Sequence, residues 1–171
     1  EHAPGVFKAE ANKAGASVFV HPRHVRGTLA EGFALGRTLP SPFARAVFMT
    51  FLVSEVHPFA DGNGRAARIM MNAELVTAGE ARIIIPTVFR SEYLQSLKVM
   101  THNQRPDALL DVLAYAWRYT HQLDFSSLDA ARVAAAQVAR AIGMLKVGLE
   151  LFISDGPDAL SVGRELGLPV F

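Results

Sequence analysis

The chain of 171 residues contains no cysteine. That excludes a disulfide framework and a thiol nucleophile, and it fits a cytoplasmic location. Charged residues make up only 19% of the chain and the net charge is +1 with neutral histidines. Neither nucleic acid nor a membrane surface is therefore an expected partner. No apolar run is long enough to span a bilayer; even Ala141 to Ile153 is interrupted by Lys146 and Glu150. There is no Gly-x-x-x-x-Gly-Lys loop and no Gly-x-Ser-x-Gly elbow, so P-loop hydrolysis and serine-esterase chemistry lack support. The pair His21-x-x-His24 lacks the carboxylate companion of a helix-borne zinc motif. Internal repeats and low-complexity segments are absent, and no signal peptide is visible. The chain opens on Glu1 without an initiator methionine, which reads as a fragment of a longer protein whose N-terminal part is missing.

What is present is apolar and helical. Half of the residues are hydrophobic, enough for one domain with a substantial core. Ser41-Pro42 predicts a helix start, with serine as cap and proline in the first turn. The run Phe43 to Val56 is apolar on nearly every side, as expected of a helix at the centre of a helical domain. It is expected to end at His57, because Pro58 disfavours helical backbone before it. A second helix is expected from Arg65 to about Ala78, stopped by Gly79. On it Arg65, Arg68 and Asn72 share one face, while Ile69, Ala73 and Val76 form another that is expected to pack on the first helix.

Between these helices lies the densest chemistry in the chain, His57-Pro58-Phe59-Ala60-Asp61-Gly62-Asn63-Gly64-Arg65-Ala66-Ala67-Arg68. The loop leaves unpaired N–H groups at the positive end of the second helix, a ready anion site. Arg65 and Arg68 add charge-assisted bonds to phosphate oxygens. Asp61 is a hard oxygen ligand suited to magnesium bridging phosphates. His57 sits at a helix C-terminus, where the dipole favours its charged form while nearby cations favour the neutral base. Phe59 is expected to point inward and anchor the loop. Any one of these elements alone reads as an ordinary cap or turn. Caps and turns do not need the histidine, the carboxylate and both arginines together.

This stretch resembles the signature of the Fic (filamentation induced by cAMP) family, H-P-F-x-[DE]-G-N-G-R-x-x-R, with all nine specified positions filled. The resemblance covers about Pro4 to Tyr119, including Pro4-Gly5-Val6-Phe7-Lys8 and Ala78-Gly79. It implies an all-α, Fic-type helical bundle with a small β-hairpin flap near the N-terminus. The catalytic domain would span 1–123, with the flap at about 7–22 and the active-site loop at 57–65, and a C-terminal helical extension at 124–171 would pack on the core. The implied activity is transfer of AMP from ATP to a Ser, Thr or Tyr hydroxyl of a protein. By that resemblance His57 is the general base, Asp61 the magnesium ligand, and Gly62, Asn63 and Gly64 the anion hole, with Asn63 and Arg65 also counted as catalytic. Arg65 would hold phosphates and Arg68 would reach the γ-phosphate. The same site could remove AMP or transfer another phosphate ester; a repressed nucleotide-binding toxin–antitoxin module is the reading from a different class.

Asn12-Lys13-Ala14-Gly15 reads as a turn leading into the β-prone Ser17-Val18-Phe19-Val20, ended by His21-Pro22. From the residues alone this hairpin is as well explained as a cover for the core as by a functional flap. The resemblance implies the flap, docking a target by strand addition with Phe19 and Val20 as contacts. Val25 to Leu35 is expected to be helical despite Gly27 and Gly32, and Arg82 to Pro86 to be a strand or a buried connector. Ser91 is expected to cap a helix from Glu92 to about His102, with Tyr93, Leu97 and Met100 inward. Tyr93 and Thr101 are nucleotide neighbours by resemblance, although ordinary packing explains both better. A further helix is expected from Ala108 to about Gln122, with Trp117 in the core. Asp124 to Gly156 is alanine-rich and amphipathic, fit for packing inside the domain or in a homodimer. In the loop-like tail, Ser161-Val162-Gly163-Arg164-Glu165 matches five positions of the family's inhibitory pattern [ST]-x-x-x-E-[GN], and Leu166 breaks the sixth. An inhibitory helix in the missing N-terminal part, or an antitoxin in trans, is the competing expectation.

Overall fold

The computed structural model describes residues 5–15, 17–122, 127–139 and 156–170. The chain divides into two compact units, Glu1–Thr120 and His121–Phe171. The fold is all-α with one small hairpin, as expected. In the first unit the hairpin pairs β1 (Lys13–Ala14) antiparallel with β2 (Ser17–Val18), Lys13 opposite Val18 and Ala14 opposite Ser17. Lys13 and Ala14, read from the sequence as part of a turn at Asn12–Gly15, thus belong to the first strand. Gly15 bends the chain at φ +59, a conformation that costs glycine little, and this frees Lys13 and Ala14 to pair. The Phe19 N–H extends the ladder to the Asn12 carbonyl at 3.4 Å.

Helices α1 (Val25–Gly36), α2 (Pro42–Val56), α3 (Asn63–Thr77), α4 (Arg90–Asn103) and α5 (Asp107–His121) follow. The apolarity of α2 is explained by what lies on its two sides. Ala46 and Val47 join Met71, Leu75, Ile83, Tyr93, Leu109 and Leu113 in one core cluster. Met49, Leu52 and Val56 join Val25 and Leu29 of α1 in another. Helix α1 tolerates Gly32 because it crosses Leu52 closely: a Cβ there would stand 2.5 Å from Leu52 Cδ1. The Ser41 hydroxyl accepts the Ala44 N–H at 3.1 Å, the predicted cap of α2.

Three local expectations are corrected. Helix α3 begins at Asn63, two residues before Arg65, because Gly62 takes the left-handed conformation (φ +79) and lets the loop enter the helix at once. Its buried face carries Asn63, Ala67, Met71 and Leu75, whereas Ile69, Ala73 and Val76 face solvent. Both faces are apolar enough to compete, and the longer Met71 and Leu75 fill the core beside α2. Asn72, one helical repeat beyond Arg65, bonds both the N–H (2.7 Å) and the carbonyl (3.1 Å) of Ile83. That pair makes 82–86 an extended connector without strand pairing, further fixed by the Ile84 N–H on Thr120 Oγ1 at 3.3 Å. Ser91 caps nothing: a 3-10 turn at Thr87–Phe89 runs straight into α4, which starts at Arg90. Trp117 packs against Phe43 with ring centroids 5.2 Å apart and donates to the Ala81 carbonyl, as a core residue should.

The second unit holds α6 (Leu128–Val138), a 3-10 turn at Gly156–Leu160 and α7 (Ser161–Glu165). Most of the predicted amphipathic stretch, 140–155, lies outside the described residues. Arg132 gathers Asp129 (2.9 Å), Glu165 (3.1 Å) and the Ser161 hydroxyl (3.1 Å). Glu165 of the inhibitory-like pattern is thus paired with an arginine of its own unit.

Candidate active site

His57 ends α2 with φ 49 and ψ 58, left-handed backbone that a residue without glycine's freedom enters at some cost. Its N–H still closes the last turn on Val53, 3.0 Å away. Its ring Nδ1 lies 3.1 Å from the Ser54 carbonyl. A carbonyl only accepts, so Nδ1 carries the proton and Nε2 is left as the basic nitrogen. Burial holds the imidazole below its usual pKa of 6.5, opposed by the Ser54 bond, reinforced by the Lys8 ammonium and opposed again by Glu55. The ring stays neutral near neutral pH, as a general base requires.

The loop after it is anchored by the buried Asn63. Its Oδ1 accepts the Phe59 N–H and its Nδ2 donates to the Phe59 carbonyl, each at 2.8 Å. Both ends of the amide are therefore spent on the loop backbone. The Asn63 side chain thus holds the loop in place, while its main-chain N–H, at the start of α3, stays open to the anion site named from the sequence. Phe59 packs on Phe7 with centroids 5.8 Å apart, the predicted anchoring. Gly62 precedes α3, so the first N–H groups of that helix open toward the space in front of the loop.

That space is a cavity of about 500 Å³. The structure brings His57, Asp61, Gly62, Gly64, Arg65 and Arg68 to its lining, together with Asn63. Arg65 Nη2 is 3.6 Å from Asp61 Oδ2, with both side chains about three-quarters exposed. An ion pair so open to solvent is weak and readily exchanged for phosphate or metal. Arg68 has no carboxylate partner among the described residues. Asp61 is the sole carboxylate on the lining, and no cluster of three or more His, Cys, Asp or Glu side chains exists among the described residues. This donor set fits Mg²⁺ carried by phosphates and water with one protein oxygen, not an all-protein cage.

The opposite wall contains residues that the sequence did not single out: Ile85, Thr87, Arg90 and Leu94. Arg90 also has no carboxylate partner among the described residues. Their only advance signal was the Pro86-Thr87 break before a helix. Tyr93 is both core and wall, with 3% exposure and its hydroxyl 2.8 Å from Thr50 Oγ1. Thr101 is spent on Glu55 at 2.6 Å and on the Leu97 carbonyl, and does not line the cavity.

The Phe19 ring stacks on His57, centroids 3.7 Å apart and planes 6° apart, and Val20 packs into the α1–α2 cluster. Val18, at the end of β2, is 81% exposed. Lys8, given no role from sequence, is buried. Its Nζ donates to Asn12 Oδ1 (2.7 Å) and the Val56 carbonyl (3.2 Å), and its N–H donates to the Pro58 carbonyl (2.8 Å).

Residues 1–75 match the model of the Fic/DOC family. The chain carries a Fic/DOC family domain. Protein adenylyltransferase fic-1 of Caenorhabditis elegans is 31% identical over 120 residues, 70% of this chain and 20% of the relative. Protein adenylyltransferase Fic of Drosophila persimilis is 41% identical over 58 residues, 34% of this chain and 11% of the relative. The chain thus spans about a fifth or less of the curated relatives it matches. Among solved structures, a Fic family protein from Desulfovibrio desulfuricans G20 aligns with TM-score 0.60 at 20% identity, over 96% of this chain and 51% of that one. C. elegans Fic-1 (residues 134–508) aligns with TM-score 0.55 at 23% identity, over 77% and 38%. Both likenesses show the Fic fold.

Proposed function

We propose that this Fic domain is a protein adenylyltransferase, moving AMP from ATP to a hydroxyl of a target protein. The observation that carries the reading is the convergence of His57, Asp61, Arg65, Arg68 and the α3 N-terminus on one cavity. The target hydroxyl gives its proton to His57 Nε2 as its oxygen bonds to the α-phosphorus. The bond from that phosphorus to the oxygen bridging the β-phosphate breaks, and pyrophosphate leaves. The main-chain N–H groups at the start of α3 and Arg65 stabilise charge on the α-phosphate oxygens. Arg68, one turn further on, holds the distal phosphates so that the leaving group lies in line. Asp61 would hold Mg²⁺, which neutralises phosphate charge when bound. The hairpin offers an edge for main-chain pairing with an extended target segment, which registers a hydroxyl without a strict sequence motif.

The test uses ATP labelled on the α- or the γ-phosphate, with the purified domain and a cell lysate. Label from the α position on protein supports the reading. Label from γ alone would make the domain a kinase, and label from neither position would leave it a nucleotide-binding module. In the same assay Arg68→Ala is expected to lower AMP transfer about 10²-fold, the scale for losing a positioning contact near the reacting group. An unchanged rate would remove Arg68 from the phosphate site.

A further inference from the structure

The root of the flap is stitched to the catalytic loop. Lys8 reaches Val56 and Pro58, Asn12 Nδ2 donates to the Phe59 carbonyl at 3.2 Å, and Asn12 receives the Phe19 N–H. Phe19 is thereby held at a fixed height over His57, and the two rings lie nearly parallel at 3.7 Å. The imidazole needs that support. Its only side-chain hydrogen bond among the described residues is at Nδ1, and the torsion that sets its ring plane is a broad, roughly two-fold one. One bond at one edge fixes the tautomer but leaves the plane free to tilt. A ring stacked on the face removes the tilt and keeps water off that face.

We propose that Phe19 is the positioning residue for His57, locking the imidazole plane so that Nε2 points into the cavity in line with the incoming hydroxyl. This rests on the adenylyltransferase reading for its catalytic consequence, but not for the stack itself. It also gives the hairpin a second task besides offering an edge to a target. Phe19 stays on the base, and Val18 faces outward. The groups that act on the imidazole are then Phe19 above it, Lys8 from the flap root, and Ser54 and Glu55 from α2.

Two measurements on the whole chain test the assignment, using Phe19→Leu, which keeps apolar bulk without an aromatic face, and Phe19→Tyr, which keeps the face. In NMR titrations the His57 ring protons are expected upfield in the parent and in Phe19→Tyr. Phe19→Leu should shift them downfield and raise the titration midpoint toward 6.5 as the face opens to water. In AMP transfer, Phe19→Leu is expected to lower kcat about ten- to a hundredfold with KM for ATP unchanged, and Phe19→Tyr to restore it. Ring shifts and midpoint that ignore Phe19→Leu would overturn the stack. A loss confined to KM, or one that Phe19→Tyr does not restore, would overturn the positioning role. If the parent transfers no AMP, the proposed activity fails, and the NMR arm still decides whether Phe19 sets the imidazole.

Discussion

His57→Ala is expected to lower AMP transfer by about 10²–10⁴-fold while leaving ATP binding intact. On the proposed reading the side chain contributes a proton acceptor and no phosphate contact, since the start of α3, Arg65 and Arg68 would hold the phosphates. Transfer of α-phosphate label and equilibrium binding of ATP, measured on the same preparation, separate the two effects. The pH dependence follows from the direction of the His57 shift. The folded pKa is depressed below 6.5, chiefly by burial, so more than half of the base is neutral at pH 6.5. The acid limb of kcat/KM, which reports the free enzyme, should fall only below pH 6.5, as the solution drops through the folded value. An acid limb centred above 6.5, or a His57→Ala variant that retains transfer, would remove His57 as the base.

Asn63→Ala is the change with the largest expected structural effect. Asn63 is 2% exposed, and its amide satisfies both the N–H and the carbonyl of Phe59. Alanine leaves two main-chain groups without partners where water reaches poorly, a loss of about 2–5 kcal/mol. Thermal unfolding should shift down by on the order of 10 °C. The loop from His57 to Gly62 would also lose the contact that holds it against α3, so transfer should fall together with stability. Asn63→Asp keeps the acceptor for the Phe59 N–H but sets a carboxylate against the Phe59 carbonyl, and should be no better than alanine. Calorimetry of the three proteins decides the matter: a melting temperature unchanged in Asn63→Ala would mean that the amide does not hold the loop.

The fold was legible where local rules act alone. Ser41 and Pro42 mark the start of α2, Pro58 marks its end, and Gly79 follows the end of α3. All three signals are covalent or one-turn effects, independent of what packs nearby. The apolar surround of α2 correctly announced a central helix, because a helix with two core-facing sides has few positions left for charge. The start of α4 was misread because Ser91 is a good cap in isolation, whereas the 3-10 turn at Thr87–Phe89 leads into the helix at Arg90 and leaves Ser91 inside it. The face of α3 was misread because Ile69, Ala73 and Val76 repeat as regularly as Ala67, Met71 and Leu75. Periodicity names a stripe; only the neighbouring helices decide which stripe is covered.

The chemistry of the site belongs to the sequence. A base, a carboxylate, a glycine-rich turn and two arginines within twelve residues arrive together whatever the rest of the chain does, because one helix end, one turn and one helix start carry them all. Their mutual setting belongs to the tertiary structure. Asn63 looks as chemical as its neighbours until its amide is seen closed on Phe59. Phe19 gives no sign of meeting His57, 38 positions along the chain, until the hairpin folds over it. Lys8 carries no local signal, and Ile85, Arg90 and Leu94 only the Pro86-Thr87 break beside them, since each reaches the site through a fold that brings distant segments together. Bonds between neighbours can be read from spacing, whereas a stack or a wall depends on how separately formed elements come to rest.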